Sequence, residues 1–363
     1  MSLKGADPVS QALRDPSMLA RLTVSQWDEL IPQARRSNLL ARIATSLEDR
    51  GLLEQTPAAP RAHLQAARVV AAAQERAVRH EVSLVRNALA KTGVRIVLLK
   101  GAAYLLAGLP PARGRLFSDI DILVPQAELP EVEAALMLHG WASTHHNPYD
   151  QRYYRRWMHE LPPMRHIKRL TVLDVHHAIL PPTARLRPDS VKLLAAAQSV
   201  SAAPQLFVLA PADMVLHSAS HLFHNEEYGN GLRDLADMDA LLRHFGATAD
   251  FWPALVPRAI EMDLARPLFY GLRYCSRLLG TPVPETIMRA AEVARPMALT
   301  DRLMDALFLR ALRPEHRRSS DRLAALSRKA LYVRAHWLRM PPMLLAYHLT
   351  RKALRRDERE AGK

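Results

Sequence analysis

Two aspartates one residue apart, at the start of an apolar strand, constrain this chain more than any other feature. The run Ser118-Asp119-Ile120-Asp121-Ile122-Leu123-Val124 alternates acidic and apolar side chains. Side chains alternate faces along a strand, so Asp119 and Asp121 project together while the isoleucines enter a core. Like charges held this close repel one another unless a cation lies between them. A solvated strand end is the usual explanation of a bare Asp-x-Asp, so the surrounding sequence has to decide.

A third acid lies on the later apolar run from Leu170 to His177, which reads as a strand. Val172, Asp174 and His176 share one face of it. Asp174 could be a paired structural residue, but a lone buried charge is costly, and Asp119 and Asp121 with their cations would stabilise it. His176 then either orients Asp174 or contacts substrate.

A phosphate-binding turn is predicted upstream, where the buried strand Arg95–Leu99 ends in Lys100-Gly101-Ala102 and an apolar helix follows. A glycine at this junction lets backbone N–H groups approach a phosphate, and a helix N-terminus favours negative charge. Lys100 adds a positive charge at the same place.

These motifs together resemble the DNA polymerase beta-like nucleotidyltransferase superfamily. Leu99-Lys100-Gly101-Ala102, Arg115 and the Ser118–Val124 run are most similar to an uncharacterised bacterial nucleotidyltransferase family with Leu-Lys-Gly and Ser-Asp-x-Asp motifs. The resemblance implies an α+β fold, in which a small mixed β-sheet core is flanked by N-terminal helices and a C-terminal helical domain.

The resemblance also implies site residues, two Mg²⁺ ions, with Mn²⁺ as the alternative metal, and an NTP as substrate. The expected catalytic and metal-binding residues are Asp119, Asp121 and Asp174. The expected nucleotide-binding residues are Lys100, Gly101, Arg115 and Ser118. The expected substrate-binding residues are His176, His221 and Arg233.

The pattern of the chain divides it into residues 1–92, which read as helical, a core at 93–187, and a mostly helical region at 188–363. Apart from the strands already described, Trp141–Thr144, Arg152–Trp157 and Gln205–Leu209 are candidate strands. A helix is predicted from Glu128 to His139, with Gly140 ending it.

Two stretches of the helical region carry polar groups at helical spacing. His217, His221 and His224 share one helix face, which suggests either a zinc site or, as we favour, a polar face lining a cleft. Arg233 and Asp237 lie one turn apart, so either they pair with each other, or Arg233 binds phosphate while Asp237 braces it.

Composition narrows the class of protein. A single cysteine, Cys275, excludes a disulfide framework and agrees with a reducing cytoplasm. No run of eighteen apolar residues occurs, so no transmembrane segment is expected. The net charge of +14 attracts polyanions, but no nucleic-acid-binding module is recognisable, so nucleic acid is a candidate partner that we do not favour.

The sequence therefore predicts an enzyme that transfers a nucleoside monophosphate from an NTP to an acceptor, with the help of a divalent metal. The acceptor, a small molecule or a macromolecule, and the oligomeric state are left open. The alternative is a non-catalytic nucleotide- or nucleic-acid-binding protein on the same fold.

Overall fold

A computed structural model describes residues 7–145, 147–201, 203–224, 226–316, 322–341 and 343–346 of the 363-residue chain. It has the predicted α+β architecture, with one mixed sheet and with helices before, between and after its strands in the sequence. The basic tail beyond residue 346 lies outside the described residues. Among the residues described, every helix is too short or too polar to cross a bilayer.

Four helices precede the sheet, as the sequence predicts. They are α1 (Pro8–Arg14), α2 (Val24–Arg36), α3 (Leu40–Asp49) and α4 (Ala58–Leu89). A capping box begins α2, in which the Thr23 side chain accepts from the Gln26 N–H and the Gln26 side chain accepts from the Thr23 N–H. The apolar faces of α3 and α4 pack on each other. The N-terminal helices therefore contribute residues to the hydrophobic core.

Seven strands form the sheet in the order β3-β4-β5-β2-β1-β7-β6. Their bounds are β1 (Ile96–Leu98), β2 (Ile120–Leu123), β3 (Trp141–Ser143), β4 (Met164–His166), β5 (Val172–His176), β6 (Gln198–Val200) and β7 (Ala203–Val208). The β2–β5 and β1–β7 pairs are parallel, and the other neighbours are antiparallel. The predicted strands at Arg95–Leu99, Ser118–Val124, Trp141–Thr144, Leu170–His177 and Gln205–Leu209 are confirmed as β1, β2, β3, β5 and β7.

The prediction of a strand at Arg152–Trp157 is wrong, because these residues form the second half of α7 (Pro148–Trp157). The Asn147 side chain accepts from the Tyr149 N–H, and Pro148 occupies the first turn, where a proline is tolerated. This start signal outweighs the strand propensity of the tyrosines. The sequence analysis also missed the short strands β4 and β6.

The other α-helices of the described chain lie between and after the strands. They are α5 (Lys100–Leu106), α6 (Leu129–Leu138), α8 (Ser190–Ala196), α9 (Pro211–His224), α10 (Gly231–Phe245), α11 (Phe251–Glu261), α12 (Ala265–Tyr274), α13 (Glu285–Ala291), α14 (Ala298–Ala311) and α15 (Arg322–Arg339). The predicted helices after Gly101 and at 128–139 are confirmed as α5 and α6. Helix α9 is buried along most of its length and packs against α10, α11, α12 and α15.

The sheet uses strands from both sides of residue 187, the predicted end of the core. Strand β7 pairs with β1, matching Ile96 with Leu206 and Leu98 with Val208. Strand β1 therefore lies between β2 and β7 in the interior of the sheet, where its three residues are buried.

Candidate functional site

The three predicted acids come together where β2 and β5 run side by side. Asp121 lies directly opposite Asp174 in the parallel register, and Asp119 immediately precedes β2. One carboxylate oxygen from each of the three lies within 4.8 Å of the others. Neighbouring strands and the two-residue period of β2 therefore suffice to bring the three acids together.

Asp121 is the acid that already has positive partners. Its Oδ1 accepts hydrogen bonds from Lys100 Nζ at 2.6 Å and from His176 Nε2 at 3.0 Å. Burial acts to raise the pKa of Asp121, but the charge of Lys100 and the bond from His176 outweigh it and hold this pKa well below its usual range. Asp121 is therefore ionised at neutral pH.

Asp174 lies opposite Asp121, and its surroundings disfavour the charged form of its carboxyl group. Burial, followed by the negative charges of Asp121 and Glu160, raises the pKa of Asp174 to about 7. Its Oδ1 is buried and has no hydrogen-bond partner. A free, crowded carboxylate oxygen beside two other carboxylates suits a hard divalent cation such as Mg²⁺, which prefers oxygen ligands. The residues present therefore fit the expected metal.

A polar pocket of about 190 Å³ opens beside Asp119 and Asp121. Every residue that the sequence predicted to bind nucleotide lines it, together with His221 and Arg233 of the predicted substrate-binding set. The full lining is Lys100, Gly101, Arg115, Ser118, Asp119, Asp121, His221, Glu227, Gly229, Asn230, Arg233 and Asp234. The structure thus brings together residues from the β1–α5 junction, the segment before β2, and α9 and α10.

The β1–α5 junction is tightly built. Lys100 adopts a backbone φ of 46°, a left-handed conformation that is uncommon for a residue other than glycine and typical of functional sites when it occurs. At Gly101 an added Cβ would lie 2.5 Å from Arg115 Nη1, so this position leaves room for the arginine. Among the other lining residues, the Ser118 hydroxyl donates to Asp119 Oδ1 at 2.6 Å.

Arg115 is buried rather than exposed. It is held by Asp237, which the sequence analysis had paired with Arg233 instead. Its Nε donates to Asp237 Oδ2 at 2.9 Å, and Arg42 of α3 also donates to the Asp237 carboxylate. Burial acts to lower the pKa of Arg115, but Asp237 outweighs it and raises this pKa. Neither expectation for Asp237 is therefore correct, since it braces Arg115 and not Arg233.

Arg233 instead forms a forked pair with its neighbour on α10. Its Nε and Nη2 donate to Asp234 Oδ1 at 2.9 and 2.7 Å. Both residues line the pocket, so the guanidinium lies at the pocket wall in a fixed orientation.

His176 does not orient Asp174, contrary to one of the two expectations for it. Its Nε2 contacts Asp121, and its Nδ1 lies 3.3 Å from Glu160 Oε2. The helical histidines also do not form the considered zinc site, since the two metal-competent clusters among the described residues include none of them. Burial lowers the pKa of His217 to about 3, and His221 alone of the three reaches the pocket.

The sequence analysis missed several polar residues at the site, including Arg42, His159, Glu160, Asn230 and Asp234. Arg42 and Asp237 are 195 positions apart, and no local pattern connects them. Glu160 follows α7 outside any periodic segment, so periodicity could not have indicated it. Of the two missed acids, Glu160 and Asp234, only Glu160 lies close to a predicted strand, shortly after Arg152–Trp157.

Comparison with protein-family models matches residues 23–280 of this chain to a family described as "Uncharacterised nucleotidyltransferase". The match covers all seven strands and every residue that lines the polar pocket. Neither the curated proteins nor the solved structures include a match to the chain.

Proposed function

The chain belongs to this uncharacterised nucleotidyltransferase family, and from that premise we propose that it transfers a nucleoside monophosphate from an NTP to an acceptor hydroxyl or similar group. The observation that carries the proposal is the convergence of carboxylate oxygens of Asp119, Asp121 and Asp174 within 4.8 Å, next to the polar pocket. The finer resemblance, to relatives with Leu-Lys-Gly and Ser-Asp-x-Asp motifs, is part of the same proposal.

Asp119, Asp121 and Asp174 would hold two Mg²⁺ ions, with Mn²⁺ as the alternative. When bound, such ions neutralise the charge of the triphosphate and lower the pKa of the attacking hydroxyl. The protein's own contribution is to present three oxygen ligands from two adjacent strands in a fixed arrangement.

The positive groups around the pocket would bind the triphosphate. Lys100, released from Asp121 when a cation compensates that carboxylate, would bind a phosphate oxygen. Arg233 is held at the wall by Asp234, and Arg115 by Asp237, so neither guanidinium has to be ordered when the substrate arrives.

In the transfer step, the acceptor oxygen forms a bond to the α-phosphorus, and the bond to the pyrophosphate leaving group breaks. The proton of the acceptor passes to Asp174, whose carboxylate has a second oxygen besides the one that would hold a metal. Arg115 and Lys100 would stabilise the negative charge that develops on pyrophosphate.

The first experiment is a thermal-shift screen of the four NTPs with and without Mg²⁺. We expect at least one NTP with Mg²⁺ to raise the melting temperature of the wild type but not of Asp119→Asn. Asp28→Asn, at an exposed position on α2, is the matched control and should respond like the wild type. Equal responses of Asp119→Asn and the wild type would contradict the proposed nucleotide site.

The second experiment distinguishes nucleotidyl from phosphoryl transfer. The active NTP is supplied with the label on either the α- or the γ-phosphate, and cell extract provides acceptors. We expect label on an acceptor from the α-labelled NTP only. Label from the γ-phosphate would identify a kinase and would overturn the proposed reaction.

The net charge of +14 favours a second candidate, a non-catalytic nucleic-acid-binding protein. Binding of that kind weakens steeply with added salt because it releases counterions. If RNA or DNA binds tightly at low salt, and no NTP stabilises the protein at any salt concentration, the second candidate is supported.

A cytoplasmic location and an acceptor that is either a small molecule or a macromolecule remain part of the first proposal.

A further inference from the structure

His176 contacts Asp121 through one ring nitrogen, and a second cluster of side chains that could bind a metal lies at its other ring nitrogen. It consists of His159, Glu160 and His176, whose ligand atoms all lie within 4.8 Å of one another. Two of the three are nitrogen donors, so the cluster differs in chemistry from the all-carboxylate group of Asp119, Asp121 and Asp174.

The backbone holds this cluster in place. Glu160 forms an antiparallel bridge with His176, and residues opposite each other in such a bridge project to the same side. The His159 carbonyl accepts from the N–H groups of His177 and Ala178 at 2.8 and 3.3 Å. The three side chains therefore belong to a rigid extension of the sheet, directly after α7.

One ring nitrogen of each histidine in the cluster lacks a hydrogen-bond partner. His176 is only 4% exposed, yet its Nδ1 has no hydrogen bond, and the buried Nδ1 of His159 has none either. An unpartnered buried polar atom destabilises the folded protein, and two in one cluster call for a ligand.

The separation of the donors suits a metal. His176 Nδ1 and Glu160 Oε2 are 3.3 Å apart without forming a hydrogen bond. Two ligands at about 2.0–2.1 Å from a tetrahedral ion are separated by roughly that distance.

The hydrogen bond of His176 also assigns its two nitrogens. Because Asp121 can only accept, Nε2 of His176 carries a hydrogen and donates to Asp121 Oδ1, so Nδ1, which faces Glu160, is the nitrogen that would bind the metal in place of a proton. A metal-bound histidine characteristically donates its other N–H to a carboxylate, which orients the ring and strengthens the ligand.

We propose that His159, Glu160 and His176 form a Zn²⁺ site, separate from the carboxylates of the proposed nucleotidyl-transfer site. Two imidazoles and one carboxylate are a ligand set that zinc accepts with a fourth position left to water or substrate. The site goes beyond the proposed function, and it is joined to that site through the bond from His176 to Asp121. Zinc would thus fix the orientation of the side chain that supports Asp121.

The test uses the full chain, stripped with a chelator and then titrated with Zn²⁺ alone. We expect one tightly bound zinc per wild-type chain, and a loss of affinity of at least 10-fold in His159→Gln and in Glu160→Gln. His80→Ala, which removes an exposed histidine of α4, is the matched control and should bind zinc like the wild type. No zinc binding by the wild type, or unchanged affinity in both cluster variants, would overturn the proposal.

Asp174→Asn separates this proposal from the proposed function. We expect this variant to lose the stabilisation by NTP and Mg²⁺ while it keeps its zinc. If it loses zinc and the cluster variants keep theirs, the metal lies on the three aspartates and the inference is wrong. Failure of every NTP to stabilise the wild type would contradict the proposed function and would not affect the zinc result.

Cobalt substitution in the wild type provides a readout that does not depend on folded variants. Co²⁺ held tetrahedrally by two imidazoles and a carboxylate absorbs visible light strongly, whereas octahedral oxygen coordination absorbs weakly. We expect strong visible bands that added Zn²⁺ abolishes. Only weak bands at one equivalent of Co²⁺ would contradict the site.

Discussion

Asp121 and Asp174 lie directly opposite each other, and their environments give them opposite electrostatics. Lys100 and His176 stabilise the charge of Asp121, whereas Asp174 is left with burial and negative neighbours. Two identical side chains on adjacent strands can therefore have different roles, one as a permanent anion and the other as a proton acceptor.

At the residue scale, Asp174→Asn should separate stability from activity. Asparagine removes a carboxylate that Asp121 and Glu160 disfavour, so in a chelator the melting temperature should not fall. Label transfer should fall about 10²-fold or more, since a metal ligand and proton acceptor is lost. Thermal unfolding and the α-label assay measure the two effects, with Asp28→Asn as control. Retained transfer in Asp174→Asn would show that Asp174 has no part in the reaction.

At the element scale, one loop carries Arg115 to the pocket, and Gly114 is where this loop meets α3. Gly114 has φ 65°, and an added Cβ would lie 2.7 Å from the Ala41 carbonyl oxygen and from Arg42 Cα. Both contacts involve helix backbone, which cannot move aside as a flexible side chain would. The position of Arg115 therefore depends on a glycine that sequence reasoning alone would call an ordinary turn residue.

Gly114→Ala should lower the free energy of unfolding by about 2–4 kcal/mol, from backbone strain and overpacking together. Gly108→Ala is the matched control, since Gly108 has φ 66° but nothing lies within 4 Å of its added Cβ. The control should cost only the strain, about 1–2 kcal/mol. Urea unfolding of both variants provides the comparison, and equal losses would show that the loop does not press on α3.

Asp237 joins three elements, because it receives Arg42 from α3 and Arg115 from the loop while it lies on α10 itself. Burial acts to raise the pKa of Asp237, but the two arginines outweigh it and lower this pKa below its usual value. A lowered pKa contributes stability above the unfolded-state pKa, about 3.9, and this contribution is lost as the pH falls through the folded-state pKa.

Asp237→Asn should therefore cost about 3–5 kcal/mol at pH 7, because it leaves the buried Arg115 and the largely buried Arg42 without their counter-charge. The difference from the wild type should stay constant from pH 7 to 5 and shrink below about pH 4, where the Asp237 carboxyl takes up a proton in the unfolded wild type but still keeps its charge in the folded protein. Urea unfolding across this range is the measurement. A difference that does not change with pH would mean that the charge of Asp237 is not the source of the stability.

At the scale of the whole molecule, the sheet draws on residues far apart in the chain. The interior strand β1 pairs on one side with β2, which is close in sequence, and on the other with β7, about a hundred residues later. The predicted core at 93–187 lacks β6 and β7, and a fragment of that length would expose one edge of β1.

A fragment of residues 93–187 should accordingly fail to unfold cooperatively, or should be insoluble, because β1 loses a partner strand, and α5 and α6 lose their contacts with α4. The fragment 23–280, which contains all seven strands, is the control and should show one cooperative transition. Circular dichroism with heating measures both. A cooperative transition in the short fragment would support residue 187 as a domain boundary.

The strands β1, β2 and β5, the acids on them and the surrounding helices could be read from the sequence, because they depend on local patterns. A two-residue alternation places Asp119 and Asp121 on one face, and helix start and stop signals mark α5 and α6. The same local reasoning was wrong at Arg152–Trp157, where the cap at Asn147 outweighed the propensity of the tyrosines.

Only the tertiary structure decided which charge pairs with which. Asp237 braces Arg115 and not Arg233, and His176 joins Asp121 to Glu160 and does not orient Asp174. The physical reason is that the period of a strand or a helix determines the face on which a side chain lies. Its partner is determined by the packing of segments distant in the chain, which leaves no periodic trace in the sequence.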